Sequence, residues 1–320
     1  MTFKRSTEHM MRRYTLIFLG VLLAGVAGAK PFDPRQLPAQ AKWFVHANVD
    51  QFKKTRLGKF ALRQMEPFSQ KLKPLELMLK IEFRKDIAGL TLYGTGKDKA
   101  ESVVVVHGKF DRKQLAAAAE MTDEHRVIKH REHVIHHMED EKGAHYGCLK
   151  MNHTLLMSDG LKTLRGALDV LDGKADPLKP DSIVAKATAG KHPFFLVGLV
   201  DFEALGELDA DSKVFEKMKS LCFALGEAED NIQGRLLVQP RDRKTGEQIL
   251  QIFRGMVAMV QILPEENDTE LQKLKQFVEA LKFELKESFV TVNWKQPVQA
   301  ILDDIKLELI SLKKDREKKE

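Results

Sequence analysis

The chain is 320 residues long, 43% hydrophobic and 31% charged, enough for one large or two ordinary soluble domains with a buried core. Its formal net charge of +6 belongs to its ends: Lys4, Arg5, Arg12 and Arg13 against Glu8 at the start, five bases against three acids in the closing KKDREKKE. The body between is close to neutral, without a basic patch interleaved with aromatics, so composition excludes a nucleic-acid partner.

Arg12 and Arg13 precede the apolar run LIFLGVLLAGVAGA, which closes on Ala27-Gly28-Ala29 before Lys30. A basic region, a short apolar core and an A-x-A site predict a secretory signal peptide over 1–29. The expected location after cleavage is periplasmic or extracellular. The run is short for a span of ~20 residues, and no later segment is longer, so no membrane span is expected after cleavage. Cys148 and Cys222, the only cysteines, both lie in apolar patterns (YGCLKM, KSLCFAL) and read as buried free thiols.

Residues 30–41 are Pro-rich and read as an extended lead-in, followed by a strand over 42–50. A helical pattern covers 56–84, divided by Pro67 and Pro74. A second strand, 86–93, turns through Gly94-Thr95-Gly96-Lys97-Asp98 into a third built on Val103 to Val106, four β-branched residues in a row. A helix follows to about Glu120. Strands are expected near 124–130, 133–139, 144–150 and 153–158, then a helix over 160–171 with Leu161, Leu164, Leu168 and Leu171 on one stripe.

Residues 173–191, with Pro177, Pro180 and Gly190, read as a linker between a first half (30–172) and a second (192–312), ahead of a charged tail at 313–320. The second half starts with a strand over 193–200. Val214, Met218, Leu221 and Leu225 then predict a helix over 212–226, before a strand at 231–239 and a long apolar helix over 245–263. Asn267 or Asp268 caps the next helix. A hairpin around Lys286-Glu287 and a final helix after Pro297 complete the chain.

Four aspartates (Asp50, Asp111, Asp159, Asp201) each stand where a strand gives way to a helix, and read as N-caps. The recurring step predicts an α+β fold. Its expected form is a duplicated unit of antiparallel sheet with helices on one face, the first half in the strand–helix order of a ferredoxin-like sandwich.

Seven of the eleven histidines (125, 130, 133, 136, 137, 145 and 153) fall within 29 residues. There is no HExxH. On a strand His133 and His137 share a face but stand ~13 Å apart, too far to hold one ion. If Arg131-Glu132 is one turn and Asp140 to Gly143 closes the next, His125, His136, Met138 and His145 come to one side. They are the candidate ligands for a transition metal. The competing reading makes them polar residues of a half-exposed sheet.

No G-x-S-x-G, CxxC or strand-linked G-x-G-x-x-G is present, and Asp98 stands where a phosphate loop needs Ser or Thr. No catalytic or cofactor-binding residue is expected on these grounds.

The segments AKWFVHANVDQFKKTRLGK, DIAGLTLYGTG, VVVVHGKFDRKQL and GALDVLDGK resemble a family of uncharacterised exported α+β proteins of planctomycete- and verrucomicrobia-type bacteria. The resemblance covers most of the mature chain. It implies a bacterial source and carries no assigned activity. The leading expectation is an exported, non-enzymatic protein that acts through a binding or structural surface, with a protein or envelope component as partner. The alternatives are a periplasmic metal-binding protein using the 125–153 hairpins, and a hydrolase whose site is assembled from scattered residues.

Overall fold

The structure, a computed structural model, describes residues 32–64, 66–122, 124–141, 143–179, 182–189, 194–205, 215–264 and 269–317. The expected signal peptide and the Asn267/Asp268 cap lie outside the described residues. The chain divides into two compact units. One holds 46–178 with the lead-in to Ala41; the other holds Lys42–Val45 and the chain from Lys179 on.

Strand β1 (Trp43–Asn48) crosses that division. The first unit continues with α1 (Val49–Lys54), α2 (Arg56–Gln64), α3 (Glu66–Leu79), α4 (Phe83–Asp86), β2 (Ile87–Gly94), β3 (Ser102–Gly108), α5 (Arg112–Glu120), β4 (Arg126–His130), β5 (His133–Asp140), β6 (Gly143–Lys150), β7 (Thr154–Ser158) and α6 (Leu161–Leu171). The second comprises α7 (Ser182–Thr188), β8 (Phe194–Asp201), α8 (Phe202–Leu205), β9 (Met218–Ala228), β10 (Asn231–Pro240), α9 (Arg243–Ile262), α10 (Thr269–Glu279), β11 (Lys282–Lys286), β12 (Phe289–Pro297) and α11 (Val298–Glu317). Helix α3 runs through Pro74 instead of stopping there.

In the first unit the strands lie in the order β2-β3-β7-β6-β5-β4, every neighbouring pair antiparallel. In the second the order is β8-β9-β10-β12-β11, again antiparallel throughout. The protein is α+β, as its sequence pattern indicates. One detail differs from expectation: the helices of each unit cover both sheet faces.

In the first unit, His133 and Lys150 reach the C-terminal end of α6 from one face. Val106, Leu149 and Leu155, of opposite parity, pack on the other face with Leu79 of α3 and Leu115 of α5. In the second unit Val238 and Val290 pack against Ile249 and Leu250 of α9. Arg235, of opposite parity to Val238, donates from Nη1 to the carbonyls of Lys186 (2.9 Å) and Ala189 (2.7 Å), closing the free end of α7.

That double coverage explains the largest misreading. Residues 218–226 are strand β9, where a helix over 212–226 was expected, and 206–214 lie outside the described residues. A strand covered on both faces needs apolar residues at odd and even positions alike, so KSLCFAL loses the alternation that marks a strand. The division between the units, at Leu178/Lys179, falls inside the stretch read as a linker, but that stretch is not a bare connection. Leu37 and Pro38 bond back to it (Leu178 N to Leu37 O, 2.7 Å), and α7 within it buries Ile183, Val184 and Ala187.

The four aspartates divide evenly. Asp111 accepts from the amides of Lys113 (2.8 Å) and Gln114 (3.2 Å), and Asp201 from that of Ala204 (2.9 Å), as helix caps. The cap of α1 is Asn48, not Asp50. Asp50 is buried in the first turn, two residues past the cap, where Lys53 bridges its carboxylate (3.2 Å) and the carbonyl of Ile87 (3.1 Å). The N-cap of α6 is Gly160, its amide held by Ser158 Oγ, while Asp159 turns to His145.

Candidate functional site

The hairpin registers required by the histidine reading are the observed ones: His130 pairs with His133, Met138 with His145, and Asp140 with Gly143. His136, Met138 and His145 therefore share a sheet face. His125 Nε2 lies 3.0 Å from His136 Nδ1, with the two rings stacked at 5.2 Å. Burial, and then the neighbouring His125, hold the His136 pKa below its ordinary value. The methyl group of Met138 lies over Gly147. His145 does not join them. Its Nδ1 donates to Asp159 (2.7 Å) and its Nε2 to Asp140 (3.2 Å). The Asp159 hydrogen bond is the main cause of its raised pKa, and both ring nitrogens are committed to carboxylates.

The opposite face carries a second group. Helix α6 ends in Asp169 and its C-cap Asp172, where the helix dipole disfavours negative charge. Each carboxylate is matched by one imidazole and one cation. Asp169 accepts from His130 Nε2 (2.9 Å) and Arg131 Nε (2.8 Å). Asp172 accepts from His133 Nε2 (2.7 Å) and from Lys150. Burial pushes both carboxyl pKa values up, but these hydrogen bonds outweigh it and hold them below the usual range.

Glu132, His133 and Asp172 form the one group among the described residues whose three donor atoms lie within 4.8 Å of one another. Lys150 already sits on Asp172, so a metal there displaces an ammonium group from a largely buried carboxylate. The arrangement ties the β4–β5 hairpin to α6.

Two histidines that no motif or spacing singles out are more strongly perturbed. His46 is buried; its Nδ1 meets Thr91 Oγ1 at 2.8 Å, and its Nε2 has no partner among the described residues. Burial lowers its pKa to about 3, and that of His107, which meets Thr154 Oγ1 at 3.4 Å, to about 4. Both are neutral at physiological pH.

An open concavity of about 690 Å³ lies beside the start of α5, lined by Lys80, Asp86, Lys109, Phe110, Arg112 and Asn152 among others. Arg112 donates to the carbonyl of Met151, and the Asp111 carboxylate is already the helix cap. No nucleophile with an adjacent base lines it.

The second unit offers a different feature. Helix α9 buries Gly246, Ile249 and Leu250, but its second half projects large apolar side chains into solvent. Met256 is 59% exposed, Met259 68% and Ile262 81%, with Ile252 and Leu263 exposed beside them. Among the described residues no helix is long and apolar enough to cross a membrane.

These features define an α+β protein with a tied histidine sheet in one unit and an uncovered apolar helix face in the other. No known protein family and no curated protein matches the sequence. Among solved structures it is similar to three crystal forms of the Treponema protein TP0453. Form I aligns at a TM-score of 0.44 and 10% identity, over 86% of this chain and 96% of that one. Form III gives 0.45 and 9% over 88% and 99%, and form IV 0.46 and 7% over 86% and 97%. Likeness at this level carries no functional inference.

Proposed function

We propose that the chain is an exported, non-enzymatic protein that works by binding, and that the second half of α9 is the binding surface. The observation that carries this is the exposure of Met256, Met259 and Ile262 on a single 20-residue helix. A soluble protein that leaves five large apolar side chains uncovered on one helix forgoes their burial energy, about 1.5–3 kcal/mol for each side chain fully buried. Methionines suit such a surface, because an unbranched thioether adapts to the shape it meets. The basic, apolar leader over 1–29 supports export to the periplasm or beyond. Photocrosslinking in the producing cell tests the reading. A crosslinker at Met256 or Met259 is expected to give one discrete adduct, and one at Glu247 or Arg254 none. Absence of an adduct from the apolar positions contradicts it.

A second reading is favoured by the approach of His125 to His136. Their nitrogens lie 3.0 Å apart, a separation that two ligands of one transition-metal ion can adopt. Met138 is the third candidate donor on that face, and His145 joins only by leaving Asp159 and Asp140. Calorimetric titration with Zn²⁺, Cu²⁺ and Ni²⁺ tests it, and no binding tighter than micromolar rules it out.

A further inference from the structure

We infer that the exposed face of α9 is a seam for a second copy of this chain, the two α9 helices packing antiparallel. This rests on α9 being the binding surface and names its partner. The residues on that face are spaced as in a helix-to-helix seam. Ile252, Met256, Met259 and Leu263 stand four, three and four apart, a heptad's alternation, and about 100° of turn per residue sets them on one line. The same line runs back to Ile249, which the unit's own core buries, so the exposed seam begins at Ile252.

Charge also selects the partner. The positions flanking the seam are Phe253, Gly255, Val260 and Ile262, all neutral, while Glu247 and Arg254 lie on the opposite side of the helix. An identical copy therefore meets no like charge, and no charged rim is present to recognise a different protein. A membrane-surface helix carries lysines and arginines around its apolar face, and the exposed half of α9 has only Arg254, turned away from the seam.

The four seam side chains and the flanking, exposed Ile262, at roughly 100 Å² of apolar surface each, bury on the order of 1,000 Å² over both copies, the lower bound for a specific interface. The antiparallel arrangement opposes the helix dipoles. It also sets the packed first half of each α9 beyond the free end of the other. Centred between Val257 and Ala258, it brings Met256 against its counterpart's Met259, and Ile252 against Leu263.

Sedimentation velocity on the purified protein, as processed by the cell that makes it, tests the inference. The wild type is expected to dimerise with a micromolar Kd. M256E should weaken the dimer at least tenfold, and M259K likewise. The double variant M256E/M259K should recover it, because the antiparallel register sets the introduced carboxylate of each copy against the introduced ammonium group of the other. Both positions are more than half exposed, and near-ultraviolet circular dichroism checks that each variant is folded. A wild type that stays monomeric to ~100 µM overturns the inference, as does a dimer indifferent to both single substitutions. Binding of a monomeric wild type, but not of M256E, to phosphatidylcholine/phosphatidylglycerol vesicles also overturns it, in favour of a lipid surface. A monomer that still gives an adduct from Met259 in the cell keeps α9 as the binding surface and removes only the second copy; a monomer that gives none removes both.

Discussion

The histidine hairpins and the second half of α9 are opposites in composition and in what the fold does with them. The hairpins hold the chemically versatile side chains, yet His130, His133 and His145 each face a carboxylate that is matched in turn. Helix α9 holds chemically plain side chains and leaves them uncovered. Residues with reactive chemistry that are satisfied inside one unit serve its architecture, whereas apolar residues left in water mark a surface still lacking its complement. A versatile side chain therefore says less about function than an unmet one.

The comparison can be broken most severely through acid. His46 and His107 are neutral in the folded protein, with pKa values of about 3 and about 4, while both titrate near 6.5 once unfolded. The unfolded chain then binds more protons at every pH between those limits. Their contribution to stability is whole above pH 6.5 and is lost as pH falls toward 3, on the order of 4 kcal/mol from His46 alone. Urea unfolding across that range should show the loss, and His46→Phe should flatten much of it. An unchanged pH profile in that variant contradicts the buried, neutral assignment.

Next in size is Asp172→Ala, which leaves Lys150 and His133 facing a site without charge. A destabilisation of about 3 kcal/mol is expected. A loss below ~1 kcal/mol in urea titration would mean that the pairs at the end of α6 do not pin the hairpin. Asp111→Ala removes only a helix cap and should cost about 1 kcal/mol. At the far end of the scale, M256E should change folding stability by no more than about 0.5 kcal/mol at protein concentrations below the dimer Kd, because that side chain supports nothing within its own unit. A large loss there would show that the α9 face is structural after all.

How much of this was legible depended on whether the determining contacts were local. The 126–158 meander was readable because Gly143 and the Arg131-Glu132 turn fix its registers, and Asp111 because its partners are the next amides along the chain. Asp159 was misread as a cap because its partner, His145, lies across a hairpin. Strand β9 was misread because its half-buried positions, Leu221, Phe223 and Leu225, are as apolar as the buried Cys222 and Ala224 between them, which erased the alternation in the sequence. The perturbation of His46 depends on what packs over it, including Phe32 at 5.1 Å, which WFVHANV does not announce. FRGMVAMVQI reads only as part of a long apolar helix, since a pattern of side chains reports which residues are apolar and not whether anything covers them.

The central claim, that the protein works through the uncovered face of α9, is most directly tested by methionine oxidation footprinting of the protein in its cell and after dilution from it. Met121 and Met151, 75% and 62% exposed in the other unit, serve as internal references. The account predicts that Met256 and Met259 are protected in the cell and oxidised once diluted, while Met121 and Met151 oxidise equally in both. Equal oxidation of all four in the cell would contradict it.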